Sequence, residues 1–164
     1  MIETSGFDDE DVWGVIQTED MWVYNKLAIA RMQGLNCGPS GVRVPHSGLY
    51  IVRPIMNLSG MGVGSEIKRL TTTSYKTVPP GYFWCEILKG TQISVDYQNG
   101  YPIACYKADR DKDNPIYKFT KWSKLTQRGR TLPEFLQPLA AKYSNMNVEY
   151  IGSKVIEVHL RGPS

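Results

Sequence analysis

Gln92-Ile93-Ser94-Val95-Asp96-Tyr97-Gln98-Asn99-Gly100-Tyr101-Pro102-Ile103-Ala104-Cys105-Tyr106 is the stretch that decides the fold class of this chain. Ile93, Val95 and Tyr97 alternate with Ser94, Asp96 and Gln98, the period of two that belongs to a strand. Asn99 and Gly100 both tolerate the positive φ of a two-residue hairpin turn, so Tyr101 to Tyr106 is expected to return antiparallel. A second hairpin is expected near the C-terminus, from Asn147 to Ile151 and from Lys154 to Leu160, turning at Gly152-Ser153. Upstream, Tyr50-Ile51-Val52 and Tyr82-Phe83-Trp84-Cys85-Glu86-Ile87 read as strands, the latter after the break Val78-Pro79-Pro80-Gly81. Ile116-Tyr117-Lys118-Phe119 reads as a further strand, after a polar loop from Lys107 to Pro115.

Helical spacing is confined to two places. From Asp20 to Gln33, Val23, Leu27 and Ala30 share a face, and Gly34 stands where a helix stops. Gly38-Pro39-Ser40-Gly41 then reads as a loop. Thr131-Leu132-Pro133-Glu134 has the form of a capping box with proline just inside the helix. That helix would bury Phe135, Leu136, Leu139 and Tyr143, with Pro138 shortening or kinking it. Residues 1–12 carry clustered acids without periodicity and are expected to be a loose arm. The expected architecture is one α+β domain over residues 1–164, antiparallel sheets with a few packed helices.

Composition narrows the function classes. At 164 residues, 41% hydrophobic and 21% charged, the chain is an ordinary globular one, long enough for one sizeable core. No apolar run reaches the roughly 20 residues that a membrane-spanning helix needs. The acidic opening lacks the positive, then apolar, pattern of a signal peptide, so a cytoplasmic location is expected. Cys37, Cys85 and Cys105 are far apart and odd in number, and suggest reduced, mostly buried thiols. With only His46 and His159, a centre built of several histidines is disfavoured. The net charge of +3 is mild. Lys107, Arg110, Lys112, Lys118, Lys121, Lys124, Arg128 and Arg130 do cluster with Tyr117, Phe119 and Trp122. Without a recognised nucleic-acid motif, that run reads better as a solvated strand and loop around Asp109, Asp111 and Asp113 than as a nucleic-acid surface.

Three constellations could carry chemistry. The loop Asn57-Leu58-Ser59-Gly60-Met61-Gly62-Val63-Gly64 follows a strand ending in Arg53-Pro54. Its glycines would let backbone N–H groups approach an anion, which Arg53 could hold bidentately. The loop fits neither common nucleotide fingerprint, and a tight structural turn explains it equally well. In the terminal hairpin, Glu157, His159 and Arg161 share one face of a strand. With an odd-length turn, Glu149 and Asn147 stand opposite Glu157 and His159; with a two-residue turn, Val148 opposes Glu157 and the acidic pair is separated. Paired carboxylates there would suit Mg²⁺ bound jointly with phosphates, or form an exposed face neutralised by Arg161. Lastly, Phe83 and Trp84, followed by Cys85 to Leu88, could wall a flat base or simply form core.

Taken in order, these pieces resemble the ATP-grasp superfamily of carboxylate–amine ligases. Val52-Arg53-Pro54 and the following loop resemble the family's V-K-P strand and glycine-rich loop, with arginine in place of lysine. Cys85-Glu86-Ile87-Leu88-Lys89-Gly90-Thr91-Gln92 resembles the segment that holds adenine, with Gln92 where an acid usually binds ribose. Glu149 and Glu157-Val158-His159 fall where the family has its metal acids, the second in an E-x-N motif, and Arg161 and Pro163 resemble the continuation of that motif. The helix from Asp20 to Gly34 and the turn Cys37-Gly38-Pro39 resemble the family's opening helix and turn. Chains of this pattern are also similar to bacteriophage proteins of uncharacterised activity.

The resemblance implies ATP and Mg²⁺ as cofactors. Arg53, Ser59, Gly60, Gly62, Cys85, Glu86, Ile87, Leu88 and Gln92 would contact the nucleotide. Glu149, Glu157 and His159 would hold the metal, and Arg53 and Arg161 would act on phosphates and acceptor. It implies activation of a carboxylate as an acyl-phosphate for attack by an amine. The departures at Arg53, Gln92, Asn147 and His159, and the lack of room for the family's N-terminal domain, favour a second reading. In that reading the domain is an inactive, viral interaction module that binds a protein partner. Assembly into a homo-oligomer is open on the residues alone.

Overall fold

The computed structural model describes residues 1–56, 64–109, 121–127 and 129–163. The central hairpin forms as its sequence demands. β5 (Gln92–Gln98) and β6 (Tyr101–Asp109) join through Asn99 and Gly100, at φ of 49° and 82°. α1 (Asp9–Val15), a 3-10 segment (Thr18–Tyr24) and α2 (Lys26–Met32) precede β1 (Cys37–Pro39), β2 (Gly48–Pro54) and β3 (Glu66–Leu70). A 3-10 turn (Tyr75–Thr77) leads to β4 (Tyr82–Glu86), then β5 and β6. β7 (Lys121–Lys124), a 3-10 turn (Glu134–Leu136), α3 (Gln137–Ala140), β8 (Asn145–Ile151) and β9 (Lys154–His159) complete the chain.

The strands make two antiparallel sheets, ordered β1-β4-β2-β3 and β7-β6-β5-β8-β9, which establishes the expected α+β class. Residues 87–91 carry the chain from the first sheet to the second. One face of the second sheet presents Ile93, Val95, Tyr97, Val148, Tyr150 and Val158 to a core closed by Val12, Val23, Leu136, Leu139 and Tyr143. On the first sheet, Tyr50, Val52 and Trp84 pack with Val44, Leu70 and Val78, and Tyr50 meets Trp84 edge to face at 5.4 Å. α2 serves both sheets. Leu27 and Ala30 cover Ile51, Phe83 and Cys85, while Ile29 enters the core of the second sheet.

Several expectations need correcting. Residues 1–12 are not a loose arm. Ile2 bridges to Tyr143, Thr4 N–H donates to Ser144 Oγ at 2.9 Å, and Asp8 and Asp11 form a capping box that starts α1. The acids that suggested disorder are helix-capping acids, and α1 buries Asp9 and Val12. The single helix from Asp20 to Gln33 is divided at Asn25, whose side chain accepts from Ala28 N–H at 2.8 Å and caps α2 afresh. The Thr131 capping box does not form: Pro133 stands at the cap with no side-chain bond. Pro138 lacks the N–H that a continuous helix would donate to Glu134, so only a 3-10 turn and one α turn remain. Leu136, Leu139 and Tyr143 are nonetheless buried, and Phe135 packs partly buried against them. Gly38 and Pro39 lie in the short strand β1 rather than a loop, and β3 had no sequence signal strong enough to mark it. The expected strand at 116–119 lies outside the described residues.

Candidate functional site

The terminal hairpin combines the two alternatives that its sequence leaves open. Its turn has two residues, with Ile151 opposite Lys154 and Tyr150 opposite Val155. The register then shifts, so that Ile156 is an extra residue and Glu149 stands opposite Glu157, Val148 opposite Val158 and Asn147 opposite His159. A β-bulge thus restores the pairing that a regular two-residue hairpin would have lost. Glu149, Glu157 and His159 each offer a ligand atom, and these atoms all lie within 4.8 Å of one another.

β5 extends the same face. Ser94 is opposite Glu149 and Asp96 opposite Asn147, so Gln92, Ser94, Asp96, Asn145, Asn147, Glu149, Glu157 and His159 share one side of the sheet. All but Glu149 are fully buried, and Glu149 is partly so. A sheet whose polar face is as buried as its apolar face must satisfy that polarity internally. Asn147 does so by donating to Ser94 Oγ at 2.7 Å and Asp96 Oδ1 at 2.9 Å.

Cations approach from the first sheet and α2. Arg53, at the end of β2, is 8% exposed; its Nη2 donates to the carbonyl of bulge residue Ile156 at 2.9 Å, and its guanidinium lies 5.3 Å from the Phe83 ring centre. Lys26, the first residue of α2, reaches Glu157 Oε1 at 3.6 Å. Gln33, in the last turn beyond α2, pairs its amide with the backbone of Val155 at 2.7 Å in each direction, much as a neighbouring strand would. These bonds tie the exposed edge of β9 to the other half of the molecule.

His159 is held by its own partners. Its Nδ1 lies 2.8 Å from Asp9 Oδ2, and its Nε2 lies 3.4 Å from Glu157 Oε1 and 3.8 Å from Glu149 Oε2. Asp9 also accepts from Tyr24 Oη at 2.9 Å and Arg161 Nε at 3.2 Å. Burial opposes a charge on His159, but Asp9 and the two glutamates outweigh it and push its pKa up to about 10. Burial pushes the Glu149 carboxyl upward, and the neighbouring Glu157 charge adds to the rise. Burial acts on Glu157 in the same sense, yet His159, Lys26 and Arg53 hold it below the ordinary range. Lys26 is drawn downward by burial, against the pull of Glu157. The cluster is therefore an internally paired ion network. A metal ion fits the donor set, two carboxylates and an imidazole tied at its far nitrogen, provided that His159 Nε2 gives up its proton to offer a lone pair.

The structure brings Arg53, Glu149, Glu157 and His159 together, with Gln92 further along the same face of the sheet. Arg161 faces Asp9 rather than an open space. Cys85 is buried in β4 opposite Ile51 and Cys37, and burial pushes its thiol up to about 12. Glu86 donates its N–H to Asn36 O and accepts from Asn36 N–H at its carboxylate, so both groups are occupied within the fold. Ile87 and Leu88 lie partly exposed in the segment between the sheets. Ser59, Gly60 and Gly62 lie outside the described residues, as do Arg110, Lys112, Lys118 and Arg128 of the basic run. Arg130 of that run stacks 4.5 Å from the Tyr150 ring centre and donates to Gly152 O at 2.7 Å. Asp9 and Lys26 escaped the sequence reading. Lys26 did leave a signal, since it occupies the i+3 place on the apolar stripe Val23, Leu27, Ala30. Asp9 left none.

No protein-family model matches the sequence, and no curated protein matches it. Solved structures do. D-alanine–D-alanine ligase from Bacillus anthracis, complexed with ATP, is 14% identical with a TM-score of 0.48, over 84% of this chain and 55% of the ligase. L-amino acid ligase from Bacillus licheniformis is 15% identical with a TM-score of 0.48, over 85% of this chain and 41% of the ligase. The ATP-grasp ligase PsnB, complexed with a minimal precursor, is 13% identical with a TM-score of 0.45, over 87% of this chain and 52% of PsnB. The chain spans about half the length of these structures, and its likeness to them is one of fold.

Proposed function

We propose that this chain binds ATP together with a divalent cation on the polar face of its second sheet. The carrying observation is the bulge at Ile156. It sets Glu149 opposite Glu157 beside His159, and its carbonyl receives the guanidinium of Arg53. Arg53 would clamp phosphate oxygens, and Glu149, Glu157 and His159 would hold the ion, for which the motif resemblance implies Mg²⁺. When bound, such an ion neutralises charge on a phosphoryl group in transfer. The further step, activation of a carboxylate as an acyl-phosphate for an amine, follows from the motif order alone. Among the described residues no helix is long and apolar enough to cross a membrane.

Calorimetric titration with a non-hydrolysable ATP analogue, with and without Mg²⁺, tests the proposal. Metal-dependent binding is expected, together with its loss in Glu157→Gln at unchanged far-UV circular dichroism. Equal binding by Glu157→Gln would sink the assignment. A specific observation favours a second reading: Lys26 and His159 already pair with Glu157 and Asp9 inside the cluster. If neither heat nor thermal stabilisation appears at millimolar nucleotide, an inactive module that binds a protein partner takes its place.

A further inference from the structure

The donor set on β8 and β9 is not the one that suits Mg²⁺ best. Carboxylates are hard oxygen ligands, but the third donor is an imidazole nitrogen, and nitrogen ligands favour first-row transition ions over Mg²⁺. His159 is also oriented for ligation. Asp9 Oδ2 holds Nδ1 at 2.8 Å, which leaves Nε2 facing Glu157 at 3.4 Å and Glu149 at 3.8 Å. Metal-bound histidines almost always have an acceptor on the far nitrogen, and here it is a carboxylate. Two donors each about 2.1 Å from one ion stand no more than about 4.2 Å apart; the two histidine–carboxylate separations lie inside that limit, and all three donor atoms lie within 4.8 Å of one another. A separate observation suits the phosphate that would accompany the ion rather than the ion itself. Arg53, 8% exposed beside the bulge at Ile156, has an Nε donor with no acceptor among the described residues.

The geometry points to a site for a first-row transition ion of the Co²⁺ or Zn²⁺ kind, held by Glu149, Glu157 and His159 Nε2, with Asp9 as the positioning residue that aims the imidazole. This rests on the cation half of the proposed function and deepens it by naming the class of ion. Asp9 lies on α1, 150 residues from His159 in sequence, so the support comes from outside the hairpin that supplies the ligands.

The test uses the full chain, titrated calorimetrically with Co²⁺ and with Mg²⁺, first without and then with the ATP analogue. The visible absorption of bound Co²⁺ is recorded in parallel. Any site of this charge prefers Co²⁺ to some degree, so the informative quantity is the Co²⁺-to-Mg²⁺ affinity ratio. His159→Asn is expected to lower that ratio at least tenfold, roughly, and to alter the Co²⁺ spectrum. Asp9→Asn is expected to weaken Co²⁺ binding by about 10–100-fold, with rescue by Asp9→Glu. An unchanged ratio and spectrum in His159→Asn, or no Co²⁺ binding by the wild-type chain in either arm, would overturn the inference. Co²⁺ binding of the expected kind without nucleotide affinity upholds it and overturns the nucleotide reading. Nucleotide binding with an unchanged ratio does the reverse.

Discussion

At the residue scale, the chain illustrates how burial assigns different work to side chains of one type. Cys85 is 3% exposed beneath Leu27 and Ala30 on the first sheet, and its thiol is pushed up to about 12 by that burial. Only the thiolate is nucleophilic, so Cys85 is held unreactive at neutral pH twice over, by protonation and by packing. Cys37 is partly exposed, whereas Cys105 is buried. Iodoacetamide at pH 8 is expected to label Cys37 in the folded protein and spare Cys85 and Cys105, with all three labelled in guanidinium. Mass spectrometry of the labelled peptides checks this, and labelling of Cys85 at the rate of Cys37 would contradict the packing. Lys26 is the counterpart among charged residues: an apolar stripe position carries an ammonium because Glu157 waits there to receive it.

At the scale of elements, the turn between β8 and β9 is fixed by a close contact of two backbones. A Cβ on Gly152, at φ of +60°, would stand 2.7 Å from Lys89 O. A Cβ on Gly90, at φ of +127°, would stand 2.8 Å from Gly152 Cα. Both conformations and both spaces exclude a side chain, so the segment leaving the first sheet is clamped against the turn that precedes the bulge. Gly152→Ala is expected to cost about 1–3 kcal/mol through backbone strain and steric conflict. For a chain of this size that lowers the melting temperature by roughly 2–12 °C. Differential scanning calorimetry reads the shift, and no change would mean that the two loops are not locked together.

At the scale of the molecule, the N-terminal residues staple distant parts of the chain. Ile2 N–H donates to Lys142 O at 2.6 Å, Ser144 N–H to Ile2 O at 2.9 Å, and Gly162 N–H to Thr4 O at 3.3 Å. α1 then delivers Asp9 to His159, and Tyr24 donates to Asp9 while accepting from Leu160 N–H. Limited digestion with a Glu-specific protease is therefore expected to leave residues 1–15 attached under native conditions, despite Glu3 and Glu10. Rapid release of that segment would show that the staple does not hold. Deleting residues 1–11 is expected to lower the melting temperature, because the deletion strips the buried His159 of its Asp9 partner.

The sequence by itself determined what rests on local chemistry. Alternation in Ile93, Val95 and Tyr97, followed by Asn99-Gly100, requires an antiparallel hairpin, because period two and paired positive φ admit little else. The polar residues between them were equally visible, and so were Arg53, Glu149, Glu157 and His159 as candidates. Whether Glu149 meets Glu157 was not determined there, because a two-residue turn alone gives the wrong register, and the bulge at Ile156 has no signature of its own. Tertiary structure decided it, by engaging the carbonyl of Ile156 with Arg53 and the backbone of Val155 with Gln33. It likewise turned an acidic, aperiodic N-terminus into the helix that orients His159. A carboxylate's partner 150 residues away leaves no mark on local spacing, since only folding creates that proximity.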